Sequence, residues 1–399
     1  MKTKLMVAFG GRSVEHEVAI ISAVQAMNYL DKDKYDILPV YIMKDGTMLF
    51  SRDFLDINVF RRTKLEEMKK SYTNVLVTKM YGKSVIIGLH PKKGLRKADI
   101  ISEIDVALPV VHGTCCEDGT LQGWLETLGV PYCGCDVMAS AIGMDKDLFK
   151  LALQAADIPT LPHTAFLSKD WSEDKDSVIA KIEAMFSYPV IVKPANLGSS
   201  VGISKAKDRV SLIEAVDLAS SFAGKILVER AVTNLREINC SVLGDADDCA
   251  ASECEEPVMQ DEILSFQDKY LSSGSSKGMT SLKRRLPAEI GIDKRNEIQN
   301  ISNHVFKLIG ASGVVRIDYL MDVDDGNKVY VNEINTIPGS LSFYLWEATG
   351  LKYKDMLDRL IELAFKRNRT RDSLMYTYDS NILDGVSGFG SKSAKGSKM

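Results

Sequence analysis

Residues 313–340, GVVRIDYLMDVDDGNKVYVNEINTIPGS, set two strand-forming runs on either side of Asp325-Gly326. Asp-Gly between such runs is a strong signal for a two-residue hairpin loop. With that loop, Asp324 faces Asn327, Asp318 lies across from Glu333, and Arg316 lies across from Asn335. Residues two apart on a strand share a face with their cross-strand partners. Arg316, Asp318, Glu333 and Asn335 therefore form one polar patch, while Ile317, Tyr319 and Ile334 around them are apolar. Facing carboxylates repel and raise each other's pKa, which predicts a cation between them. Two carboxylates and an amide oxygen are hard ligands suited to Mg2+, an ion that completes its shell with water and substrate phosphates. The patch asks for a nucleotide. A surface hairpin with solvated charges is the plainer alternative, and it leaves the apolar neighbours unexplained.

A second stretch fits that demand. In VIVKPANLGSSVGISK, residues 190–205, an apolar strand ends in Lys193 and runs into a Gly/Ser loop. A lysine there can neutralise phosphate while backbone N–H groups and hydroxyls hold its oxygens. The chain has neither GxxxxGK[ST] nor GxGxxG, so neither a P-loop nor the dinucleotide fingerprint is present. Together the two stretches suggest ATP clamped between two sheets.

At 399 residues, two or three domains are expected. Strand and helix patterns alternate, which indicates an α/β protein. Leu5–Phe9, Ile37–Met43 and Val106–Val111 read as strands, and helices are expected near 14–30 and from Asp118 to Gly129. The strand–glycine–helix start suggests a doubly wound N-terminal domain. Further on, the pattern predicts helices at 178–186, 211–222, 297–309 and 353–366, and strands at Ile226–Glu229 and Ile238–Leu243. Residues 61–97 carry eleven Lys/Arg and read as a solvated hairpin insertion. After Asp384 the chain is mostly Gly, Ser and Lys, a composition that predicts a disordered tail.

A formal net charge of −4 gives no sign of a nucleic-acid partner. No apolar stretch approaches the ~20 residues that span a bilayer. The seven cysteines include no CxxC pair, and they are expected to be reduced thiols of a cytoplasmic protein.

Eight stretches in order, GGRSVEHEV (10–18), VVHG (110–113), EDGTLQG (117–123), ASAIGMDK (139–146), VIVKPANLGSSVG (190–202), DKY (268–270), RID (316–318) and NEINTIPG (332–339), give the chain its resemblance to the D-alanine–D-alanine ligases of the ATP-grasp superfamily. The resemblance covers nearly the whole length apart from the tail. It implies an ATP-grasp fold of three α/β domains with ATP between the sheets of the two C-terminal ones. The expected divisions are 1–134 for the first-substrate domain, 135–228 for the central domain, 229–370 for the catalytic domain with a lid near 260–285, and 371–399 for an extension and tail. It further implies a cytoplasmic homodimer that forms D-alanyl-D-alanine through an acyl phosphate for peptidoglycan synthesis.

Site residues carry over by position. Lys146 and Lys193 would contact ATP phosphates, with Ser199 of the Gly/Ser loop beside them. Glu229 and Glu237 would hold adenine and ribose, and Arg230 stands where the family has lysine. Asp318, Glu333 and Asn335 would bind two Mg2+ ions, with Mn2+ able to replace them. Glu15 would hold the ammonium of the first D-alanine, linked to Ser199 and Tyr270 in a hydrogen-bonded bridge. His112 would line the same pocket. Arg316 and the Gly339 N–H would stabilise the oxyanion of the tetrahedral intermediate. Lys269, on the lid, would help bind ATP and the second substrate's carboxylate.

The chain departs from the family where PGxTxxS is usual. It reads PGSLSFYLWEATG, so Tyr344 stands at the serine that would bind the second substrate's carboxylate, with Ser340 or Ser342 as substitutes. Two rivals follow: a ligase with another second substrate, such as D-serine, and a regulatory homologue that binds ATP without turnover. Tyr270, where some depsipeptide ligases carry histidine, argues against D-lactate.

Overall fold

A computed structural model describes residues 2–62, 65–89, 99–198, 201–258 and 284–376. Ser199, Lys269, Tyr270, nearly all of the expected lid and the tail after residue 376 lie outside the described residues.

The described chain builds three sheets. In the first, Thr3–Gly10, Tyr35–Ile42 and Val106–Val111 run parallel. Their near-continuous apolar runs suit strands covered on both faces. The expected doubly wound sheet stops there. Met48–Phe50, Thr73–Met80, Lys83–Gly88 and Asp99–Glu103 extend it antiparallel to seven strands. The basic stretch forms the expected hairpin at residues 73–88, but the hairpin does not stand free in solvent, and residues 90–97 lie outside the described residues. Val75, Val77 and Ile86 bury one face of it and Val85 is buried on the other, which makes it part of the sheet.

The second sheet has four antiparallel strands, His163–Leu167, Val190–Pro194, Ser204–Ala206 and Lys225–Arg230. The third has five antiparallel strands: Arg284–Arg285, Cys249–Pro257, Leu235–Gly244, Gly313–Asp322 and Lys328–Asn335. The expected late helices form as Lys175–Met185, Arg209–Ser220, Ile292–Leu308 and Tyr353–Asp372.

Three apolar cores hold these layers. The first joins the seven-stranded sheet to Phe343, Tyr353, Met356 and Leu360 near the C-terminal end of the described chain. The second packs Phe149 and Leu153 with Ile238, Ile317 and Ile334. The third lies within residues 166–228, around Trp171, Val192, Leu212 and Val228. All seven cysteines are free, although Cys240 and Cys254 are direct cross-strand neighbours.

The hairpin differs from its expected form at the turn. Asp322 pairs with Lys328, so residues 323–327 make the connection, and Asn327 takes a left-handed φ of 61°. The two-residue loop is overturned. Left-handed Gly326 and Asn327 end a longer turn, which both residue types tolerate at low cost. A β-bulge then shifts the register. Tyr319 pairs with Val331 and Asp318 with Glu333, leaving Asn332 as the extra residue. The bulge restores the pairing at Asp318–Glu333 and Arg316–Asn335.

Candidate active site

The second and third sheets face each other across a cleft of about 1260 Å³, counted out to its open mouth. Ile191, Lys193, Lys205, Glu229 and Arg230 line one side, and Glu237, Asn239, Asp318, Asn332 and Glu333 line the other. Alternation aims Ile191 with Lys193, and Glu237 with Asn239, into the cleft while Val190, Val192, Ile238 and Cys240 fill the cores. Asn332 joins Glu333 there through the bulge.

The facing carboxylates are compensated by protein cations. Arg316 donates to Asp318 through Nε at 2.6 Å and Nη2 at 2.7 Å, and the Asn335 amide donates to the same carboxylate at 3.0 Å. Lys146 Nζ lies 3.1 Å from Glu333 Oε2. The expectation that a metal must relieve the repulsion is therefore corrected, since Arg316 and Lys146 already do so. The donor set still fits Mg2+, with two carboxylates in register and an amide beside them. Among the described residues no three His, Cys, Asp or Glu side chains converge. A cation here would need outside oxygens, and nucleotide phosphates can supply them.

Lys193 is buried at the inner wall of the cleft. Its Nζ reaches Glu229 Oε1 at 2.5 Å and the side-chain oxygen of the bulged Asn332 at 3.0 Å. Glu229 Oε2 is 3.0 Å from Lys150 Nζ. Burial works against a charged Glu229, but Lys150 and Lys193 override it and hold its pKa at about 2. Both carboxylate oxygens of Glu229 thus face lysines, the contact with Lys150 being an ion pair without hydrogen-bond geometry. Arg230 pairs with Asp322 at 3.0 Å. Lys146 also donates to the Leu197 carbonyl at 2.9 Å, tying its helix, Lys146–Ala155, to the Gly/Ser loop.

Glu15 sits at the start of the helix His16–Tyr29, buried between two glycines. A methyl group added at Gly113 or Gly198 would lie 2.8 or 2.9 Å from Glu15 Oε2. The loop that follows Lys193 therefore closes directly over this carboxylate. Close by, burial and then the Glu15 charge raise the pKa of Glu117 well above the ordinary carboxylate value, and its Oε2 accepts from the Ile337 N–H at 3.3 Å.

His112 is fully engaged. Its Nδ1–H donates to the Ile337 carbonyl at 2.8 Å, and its Nε2 is 3.1 Å from Ser22 Oγ, which accepts from the Ser340 N–H at 3.0 Å. This single tautomer satisfies every partner in the chain of bonds. Burial lowers the pKa of His112, so the ring is neutral. Its contacts pin the turn Gly339–Ser342, where Ser340, Leu341 and Ser342 have φ of 49°, 52° and 52°. Each such non-glycine residue costs on the order of 1 kcal/mol or more and persists only where its surroundings enforce it. Ser342 Oγ is buried with no hydrogen-bond partner among the described residues.

Tyr344 does not simply replace a serine. Its hydroxyl donates to Glu255 Oε1 at 2.7 Å, and the Arg284 guanidinium lies 4.0 Å from its ring centre. Glu255 also accepts from Asn239 at 3.1 Å and from Arg284 at 3.1 Å. Sequence reasoning singled out none of Lys150, Asn332, Glu117, Glu255 and Arg284. Lys150 had a signal, lying one helical turn after Lys146, and Glu117 stands inside EDGTLQG. Asn332 opens NEINTIPG, but its contact with Lys193 comes from the bulge.

A model of the D-ala D-ala ligase N-terminus matches residues 4–135, and one of the D-ala D-ala ligase C-terminus matches residues 152–362. The chain is 40% identical to a D-alanine--D-alanine ligase of Caldicellulosiruptor bescii, over 94% of this chain and 99% of that one. It is 38% identical to one from Acetivibrio thermocellus, over 92% and 96%. Among solved structures, the D-alanine-D-alanine ligase from Coxiella burnetii superimposes with a TM-score of 0.75 at 29% identity, covering 93% of this chain and 96% of that one. The VanG D-Ala:D-Ser ligase from Enterococcus faecalis gives 0.76 at 29% identity, covering 91% and 100%.

Proposed function

The chain belongs to the D-alanine–D-alanine ligase family, and from that premise we propose how the residues of its cleft divide the work. The protein is an ATP-dependent ligase that joins two D-alanine molecules, a step of peptidoglycan synthesis. One observation carries the residue assignment: Lys193, Asp318 and Glu333 line a single cleft between two sheets, where Lys146 pairs with Glu333 and Lys193 with the neighbouring Asn332.

A carboxylate resists attack by an amine because oxide is a poor leaving group. Phosphoryl transfer from ATP to the first D-alanine makes the leaving group phosphate. The second amine then attacks the carbonyl carbon, phosphate departs, and the amine sheds a proton. Lys193 and Lys146 meet the phosphates, Glu237 and the strand edge around Glu229 and Arg230 hold the nucleoside, and Glu15 holds the first ammonium. Arg316 spends two of its five N–H groups on Asp318. The remaining donors, with the Gly339 N–H, meet the oxyanion. His112 acts by fixing the strained turn that presents that N–H. Asp318, Glu333 and Asn335 would hold two Mg2+ ions, which supply charge neutralisation to the transferred phosphoryl group. Ser340, Ser342 and Tyr344 border the second-substrate side, with Ser199, Lys269 and Tyr270 assigned to the closing elements. The working form is a cytoplasmic homodimer, which light scattering on the purified protein tests. Among the described residues no helix is long and apolar enough to cross a membrane.

The deciding assay incubates purified protein with ATP, Mg2+ and D-alanine and follows phosphate and dipeptide together. Both products in equal amounts support the reading. ATP binding without either product overturns it.

A further inference from the structure

We propose that Lys150 is a positioning residue for nucleotide binding, cancelling the charge of Glu229 so that Lys193 keeps its own for the phosphates. The inference rests on the cleft being the ATP site.

Lys150 lies on the same helix as Lys146, one turn later, and its side chain is 0% exposed. It is not among the residues that line the cleft. Burying a lysine is costly unless it is paired, and its partner here is Glu229 at 3.0 Å, itself 2% exposed. Glu229 also binds Lys193 at 2.5 Å. With Glu229 and Lys193 alone, the carboxylate would cancel the ammonium, and the wall of the cleft would offer a phosphate no net charge. With Lys150 behind them, the three groups carry one net positive charge, and only Lys193 of the two lysines reaches the cleft. Glu229 thus fixes where the Lys193 ammonium stands, and Lys150 removes the electrostatic penalty of that fixing. The depressed pKa of Glu229 agrees, because both lysines hold its charge in place against burial.

A purely structural role for Lys150, tying the helix Lys146–Ala155 to the strand Lys225–Arg230, predicts different behaviour. The test compares dissociation constants for ATP and for adenosine, which lacks phosphates, in wild type, Lys150→Met and Lys150→Met/Glu229→Gln. The ratio of the two constants isolates the phosphate contribution, so any contact of Glu229 with adenine drops out. Lys150→Met is expected to weaken ATP about tenfold with adenosine changed less than about twofold. The double variant again leaves Lys193 as the net charge, and it should restore the ratio to within about threefold of wild type. Equal losses for both ligands, no change in Lys150→Met, or no recovery in the double variant would each overturn the inference. If Lys150→Met does not fold, the double variant decides alone by keeping or losing the wild-type ratio, and its own failure to fold marks the contact as structural. A wild-type protein that binds adenosine as tightly as ATP would instead overturn the ATP reading itself.

Discussion

Asp318 stands directly across the sheet from Glu333, yet the hairpin joining their strands turns through residues 323–327 and reaches that pairing only through a bulge at Asn332. The extra residue is not idle, because its amide oxygen accepts from Lys193 at 3.0 Å. One irregularity thus sets the register of the carboxylates and links the two sheets.

Glu333→Gln removes one of the facing carboxylates and the ionic partner of Lys146. Phosphoryl transfer should slow by about 10²-fold or more, the scale of losing metal and lysine positioning. Phosphate release titrated with Mg2+ checks this, and an unchanged Mg2+ dependence would remove Glu333 from the metal site.

Gly198→Ala would push a methyl group against Glu15 Oε2, 2.9 Å away. The carboxylate must shift, so the KM for the first D-alanine should rise about tenfold while ATP affinity holds. Initial rates at saturating ATP separate the two. A loss confined to ATP binding would place Glu15 elsewhere in the mechanism.

Tyr344→Phe removes the donor at 2.7 Å from Glu255, a buried carboxylate that keeps Asn239 and Arg284. The expected cost is about 1 kcal/mol, a fall in Tm of roughly 2 °C. Differential scanning calorimetry reads this directly. If Tyr344 also borders the second-substrate site, steady-state kinetics will show the KM of the second D-alanine rising with that of the first unchanged.

Stability should fall in mild acid. His16, His112 and His163 are each held below their ordinary value of 6.5, with burial as the largest cause. The unfolded chain therefore binds more protons below that value, so stability is full above it and declines as pH drops. Glu229, held at about 2 against an ordinary 4.5, acts in the same sense at lower pH. Glu117 has the opposite sign: its raised pKa makes its burial costly at neutral pH, and Glu117→Gln should stabilise there. Thermal melts between about pH 5 and 8 test the slope, and a flat profile would mean these histidines titrate freely.

Much of the site was legible because it sits on strands with clear alternation. The period of two puts Arg316 on one face with Asp318, and Glu333 with Asn335, and Lys193 shows itself by its place at a strand end. The Asp318–Glu333 pairing rested on a two-residue loop and holds only because the bulge makes up the difference. The route to that pairing was not legible. Asp-Gly indicates a turn without fixing its length, and no local pattern marks a bulge whose purpose is a contact with another sheet. Lys150 and Glu255 were hidden for a related reason. Each is a charge held by a residue distant in the chain, and sequence spacing carries no record of such a partner. The first sheet misled differently, since its parallel start gave no hint that Thr73–Met80 and Lys83–Gly88 would continue it antiparallel.

The apolar core of the four-stranded sheet shares no side chain with the other two cores. What fastens that lobe to its neighbours includes Lys225 with Asp145, Lys150 with Glu229, and Lys193 with Asn332. Polar links of this kind can break and re-form singly, whereas the lobe's own apolar core must stay closed. Added salt should weaken the half-buried link at Lys225 more than the shielded ones, so nucleotide entry and exit are expected to respond to the ionic medium around the enzyme.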